Sequence, residues 1–212
     1  MKSFKFALVA VATAAVMAPA HAQGLTYSVG IFSANTDDKR KDDVRPSLVL
    51  GANYDFGNGF YAGAAYTTGK FGGQTKARGE LALSVGYGQE LSSGIFYDLN
   101  ATRYVYPKSG SENYNELGLT LGYGPVSATY YKAFNTDGFV SDSVSPPYLD
   151  VTYSFDINEK VSSYVTLTKT KDDSNLGFEL GASYDLGNSL SASATYEKGA
   201  TPKVVLGLTK SF

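Results

Sequence analysis

Eight acidic residues, Asp55, Glu80, Asp98, Glu116, Asp150, Glu179, Asp185 and Glu197, stand at polar positions in segments where apolar residues alternate with polar or small ones. In a strand that alternation sends the two sets to opposite faces, so all of these carboxylates share one face. Glu80 and Glu116 precede Tyr87 and Tyr123 by the same interval, which sets them at one height, with Asp150 and Glu179 near that level. Basic residues on the same face are few, Arg78 and Lys203 being the clear ones. Carboxylates lining a shared interior attract cations and repel anions, as acidic rings do in channels. The competing outcome is a plug in which they accept hydrogen bonds from neighbouring Tyr, Ser, Thr and Asn side chains.

Other chemistry finds little support. The chain has no cysteine and a single histidine, His21, so after an amino-terminal leader is removed it lacks a histidine base, a cysteine nucleophile and the usual zinc ligands. No enzyme activity, metal or cofactor is expected. The acidic and basic run "TDDKRKDD" at Thr36 to Asp43 carries oxygen ligands that suit a divalent ion, but it matches no calcium-loop spacing and reads as a solvated loop. Arg103 and Lys132 fall on the opposite parity, near strand ends, where lipid phosphates could meet them.

The elements that position these residues are strands. Lys2 and Lys5, the apolar stretch "ALVAVATAAVM" and Ala20-His21-Ala22 give the charge, core and cleavage pattern of a signal peptide over residues 1–22, leaving 23–212 as one domain. No later apolar run approaches the roughly 18 residues of a spanning helix. Instead Leu48, Leu50, Ala52, Tyr54 and Phe56 share an apolar face, and after "GNG" Phe60, Ala62, Ala64 and Tyr66 do the same. That pair is a hairpin.

Extended along the chain, the rule gives about twelve strands, with ten to fourteen inside the error of boundary placement. Tight connections such as "GNG", "GP" and "GNS" alternate with longer polar ones such as "TGKFGGQTKARG" and "NTDGFVSDSVSPP". The predicted fold is an all-β, antiparallel, up-and-down transmembrane barrel preceded by a cleaved signal peptide. Large aromatic or apolar residues close the strands on the short-turn side. Tyr54, Phe56, Tyr87, Tyr123, Tyr153, Phe155 and Tyr184 are expected to form the periplasmic aromatic girdle, which explains why "NYDFGN" at 53–58 returns as "SYDLGN" at 183–188. A soluble barrel or sandwich also alternates, but it puts its apolar face into one core and needs fewer aromatics at fixed strand ends.

About eight strands leave an interior that side chains fill and sixteen to eighteen leave an aqueous channel, so about twelve implies a small pore. Inward Gly51, Gly63, Gly118, Gly122 and Gly181 widen it; inward Tyr61, Phe96, Tyr104 and Tyr131 narrow it. Net charge is −2, and without Lys2 and Lys5 the balance is 16 basic against 20 acidic side chains, a net −4, which argues against nucleic acid as a partner. The expected role is passive diffusion of small solutes or ions through the outer membrane of a Gram-negative bacterium, with a weak cation preference. The alternative is a non-conducting barrel with a structural, adhesive or scaffolding role. Outer-membrane lipids and lipopolysaccharide are the expected surroundings.

The phrases "YDFGNGFYAGAAY" at 54–66, "VYPKSGSENYNELGLTLGYGPVSATYY" at 105–131 and "VLGLTKSF" at 205–212 resemble the TorF-type porin family of proteobacteria, over roughly Leu48 to Phe212. The resemblance implies an outer-membrane β-barrel whose terminal Phe212 serves as the signal read by the barrel assembly machinery. It departs at the first strand, where that family commonly carries an aromatic-Arg-Gly phrase and "GLTYSVGIFSAN" at 24–35 has no arginine.

Overall fold

The computed structural model describes residues 23–33, 46–69, 79–107, 113–134, 146–171, 173–198 and 202–212. The leader, the "TDDKRKDD" run and Arg78 lie outside them. Twelve strands run in order: β1 (Gly24–Phe32), β2 (Ser47–Asp55), β3 (Phe60–Thr68), β4 (Gly79–Glu90), β5 (Ile95–Val105), β6 (Tyr114–Tyr123), β7 (Val126–Phe134), β8 (Tyr148–Asn158), β9 (Val161–Thr170), β10 (Leu176–Gly187), β11 (Leu190–Lys198) and β12 (Lys203–Ser211). Each pairs antiparallel with its neighbours in sequence, and β1 pairs with β12, so the sheet is a closed barrel. Closure leaves no free edge.

Alternation decides which face is which. Val85, Leu99, Leu119, Leu121, Val151, Leu167, Leu180 and Leu206 all point outward and are exposed, whereas Ser47, Thr67, Glu80, Glu116, Thr120 and Asp150 are buried. A soluble barrel buries its apolar face; this one presents it to the surroundings and keeps its polar face inside, which is the arrangement of a barrel that spans lipid. Charge on a lipid face costs about 2–4 kcal/mol at the bilayer midplane and about 0–1 kcal/mol near the interfaces. The outward bases Arg103, Lys132, Lys169, Lys198 and Lys210 accordingly stand toward strand ends.

The two near-repeats are the same device. At the β2–β3 turn the Gly57 amide donates to Asp55 Oδ1 at 2.7 Å, and at the β10–β11 turn the Gly187 amide donates to Asp185 Oδ1 at 2.7 Å. Gly57 and Gly187 have φ of 75° and 83°, a left-handed backbone that glycine adopts without penalty. The carboxylate therefore caps the turn that the glycine permits. The runs "GQELSSG" at 88–94 and "DINEK" at 156–160 are partly strand: β4 runs on to Glu90, and β8 continues to Asn158 through a register shift between Asp156 and Asn158. A bulge absorbs the extra residue and keeps the pairing.

Candidate functional site

Among the described residues the strand carboxylates gather in the lumen. All ten carboxylates on the described strands take the inward parity, Glu90 and Asp156 joining the eight named above, while of the six basic strand residues only Lys203 does. Lys203 Nζ is 2.8 Å from Glu197 Oε2, so its charge is paired within the wall. The interior field is set by acids.

On the loop side, β4, β5, β6 and β8 bring Glu80, Glu116 and Asp150 among tyrosines. The Tyr106 hydroxyl donates to Glu80 Oε2 at 2.5 Å, and Tyr104 and Tyr148 donate to the two oxygens of Glu116 at 3.4 Å each. Tyr104 stacks on Tyr114 with ring centroids 4.6 Å apart, and Tyr131 stacks on Tyr148 at 4.7 Å. Beyond the end of β5, burial and the neighbouring Glu80 charge push the Tyr106 hydroxyl well above its ordinary pKa, so it stays a neutral donor. Asp150 Oδ1 is buried without a hydrogen-bond partner among the described residues. Burying an acceptor unpaired is costly, and Glu80, Glu116 and Asp150 are all buried at this level.

Toward the turns the inward side chains change. There Asp98 accepts from Tyr61 at 3.0 and 2.8 Å and from Asn100 at 2.9 Å; Glu179, in the loop-side half of β10 and opposite Glu197 in register, accepts from Tyr164 at 2.6 Å. Three of the inward rings lie along the wall. A Cβ placed at Gly86, Gly122 or Gly181 would overlap the ring of Tyr61, Phe96 or Tyr164, because each ring lies flat on the glycine of the next strand. At Gly122 and Gly181, and for Tyr61 and Phe96, glycine and aromatic therefore offset each other, where the sequence set them against each other; Tyr104 and Tyr131 stack on tyrosines instead. At the turn end a cavity of about 580 Å³ opens between β8 and β12, lined by Asp156, Ser162, Ser183, Asp185, Ser191 and Ser211.

The pore-lining candidates thus divide. Glu80, Glu116 and Asp150 come together on the loop side, Glu179 stands at a similar height on β10 opposite Glu197, Asp98 lies nearer the turns with Tyr61, and Asp55 and Asp185 spend an oxygen on a turn. Tyr106, Tyr114, Tyr148 and Tyr164 were not picked out from the sequence; inward parity marks Tyr164 and Tyr148, but Tyr106 follows the last residue of β5 and carries no such mark. On the outside, Tyr54 and Phe56 meet edge to face at 4.8 Å, and Tyr153 and Phe155 stack at 5.6 Å. Tyr87 packs on Phe60 at 4.7 Å, and Tyr123 and Tyr184 are exposed. All seven girdle candidates are outward at the turn end. Phe212 exchanges backbone hydrogen bonds with Tyr27, at 2.9 and 3.2 Å, and so helps close β12 on β1 with its ring exposed.

The family model described as "Bacterial protein of unknown function (Gcw_chp)" matches residues 18–211. No curated protein is significantly similar to the chain. Among solved structures the barrel is similar to the KdgM porin, at TM-score 0.63 and 10% identity over 88% of this chain and 99% of that one. The KdgM porin in complex with disordered oligogalacturonate gives 0.61 and 11% over 89% and 98%. The NanC porin gives 0.53 and 10% over 88% and 98%. Outer membrane phospholipase A from Escherichia coli has the same kind of barrel, at 0.50 and 12% over 87% and 90%, so the fold alone does not separate channel from enzyme.

Proposed function

The chain belongs to the Gcw_chp family of bacterial proteins of unknown function, and we propose that it is an outer-membrane channel that passes small neutral and cationic solutes by diffusion. The observation that carries this reading is the sorting of charge: ten strand carboxylates face the lumen of a closed twelve-stranded barrel, against one paired lysine. Low-dielectric walls concentrate that negative potential along the axis, raising the local concentration of cations and lowering that of anions. The likeness to KdgM supports the barrel but not its cargo. An anionic oligosaccharide such as oligogalacturonate would meet repulsion here.

The setting follows from the same reading. Residues 1–22 direct export, the barrel resides in the outer membrane of a Gram-negative bacterium, and Phe212 offers the terminal side chain that the assembly machinery selects. The TorF-type resemblance agrees with this placement. The reading assigns it no catalytic step, because the sequence has no cysteine and its one histidine, His21, lies within residues 1–22.

Planar-bilayer recording of the refolded protein tests the proposal. Steady single-channel current with a cation-selective reversal potential across a potassium chloride gradient is the expected result. Folded protein that stays silent would move the reading to a closed structural barrel, which the Tyr106–Glu80 and Tyr148–Glu116 contacts on the loop side would then explain.

A further inference from the structure

The outer face sorts charge as sharply as the lumen, in the opposite sense. No described strand carries an outward carboxylate, yet Arg103 on β5, Lys132 on β7, Lys169 on β9 and Lys198 on β11 all point outward within the last three residues of their strands. These four strands run in one direction and alternate around the wall, so their ends trace a crescent on the loop side. The loop-side ends of β1 and β3 carry no outward base, and the crescent covers only part of the rim.

Three of these cations have neutral partners among the described residues. Arg103 Nη1 donates to Asn115 Oδ1 at 3.3 Å, Lys132 Nζ stands 4.9 Å above the Phe134 ring, and Lys169 Nζ donates to the carbonyls of Asp173 and Ser174 at 2.6 and 3.2 Å. Those three side chains are steadied, and among the described residues no carboxylate is paired with any of the four cations. The one ion pair among the described residues, Lys203 with Glu197, lies on the inward face. Solvated loop lysines would have no reason to keep one parity or to sit at the rim of an apolar band.

We propose that this crescent is a docking surface for the phosphate groups of outer-leaflet glycolipids, with Arg103 as the geometrically specific member and the three lysines as point charges. A guanidinium matches phosphate oxygens bidentately, and a row of ammonium groups adds attraction that phosphates on neighbouring lipids can share. Bound lipid then fixes the height and rotation of the barrel, favouring one side of the wall. The inference rests on the reading of the barrel as membrane-spanning.

The test uses the refolded full barrel in a zwitterionic detergent, with a shift in gel mobility between unboiled and boiled samples as the check on that underlying reading. Loss of the shift in the parent protein would sink the barrel reading itself. With folding confirmed, lipid adducts are counted by native mass spectrometry for diphosphorylated lipid A, its dephosphorylated form and inorganic phosphate. Retention of the diphosphorylated lipid at least tenfold above the other two is expected, with loss of that preference in R103Q/K132Q/K169Q/K198Q and none in K210Q, whose cation lies at the turn end. Should the fourfold variant fail to fold, R103Q/K132Q and K169Q/K198Q are each expected to weaken retention several-fold. Equal retention of the dephosphorylated lipid, equal retention by the variants, or equal occupancy by inorganic phosphate would each overturn the proposal.

Discussion

A single hydroxyl decides how Glu80 is held. Tyr106 donates to it at 2.5 Å in a site where Glu80 is only 7% exposed, so Tyr106→Phe leaves a buried acceptor short of a donor. An unsatisfied buried partner costs about 1–3 kcal/mol, and the urea midpoint of the refolded barrel is expected to fall accordingly. Glu80→Gln keeps an acceptor for the same hydroxyl and removes the charge, so it is expected to leave the midpoint nearly in place while the reversal potential moves toward zero. Glu116→Gln, with Tyr104 and Tyr148 still donating, should act in the same direction. A phenylalanine variant that unfolds no sooner than the parent would show that the Tyr106 contact is not what holds Glu80.

Whole strands were far more legible than the side chains that cross between them. Period-two alternation places Leu48, Leu50 and Tyr54 on one face and Asn53 and Asp55 on the other without reference to any neighbour, because it depends only on the pleat. The partners of the inward acids depend on register, and a shift of one residue changes them all. Thus Asp55 and Asp185 read as lumen carboxylates from parity alone, while their hydrogen bonds to Gly57 and Gly187 come from the turns. Turn chemistry also supplies a test. Asn188 and Ser189 have φ of 54° and 57°, the two central positions of a type I′ hairpin turn, and serine at the second gives up what glycine would tolerate freely. Ser189→Gly is expected to stabilise the β10–β11 hairpin by up to about 1 kcal/mol, seen as a higher urea midpoint with unchanged conductance. A lower midpoint would mean that the serine makes a contact worth more than its strain.

At the scale of the barrel, the opposite charges of the two faces have one cause and two consequences. Backbone pairing fixes parity around the closed sheet, and each strand charge must therefore choose the lumen or the lipid side. Acids went in and bases, Lys203 apart, went out, so the axis is negative while the loop-side rim is positive. A solute crossing the barrel responds to the inner face, and most of its selectivity comes from the summed field, with no single contact needed. Equal-sized solutes that differ only in charge should then separate: in liposome swelling, glucosamine is expected to enter fastest, glucose next and glucuronate slowest. The ordering is electrostatic, so raising the salt toward 1 M, where the screening length falls to about 3 Å, should bring the three rates together. An order that ignored charge, or one that survived high salt unchanged, would show that shape at the tyrosine level on the loop side governs passage in place of the acidic lining.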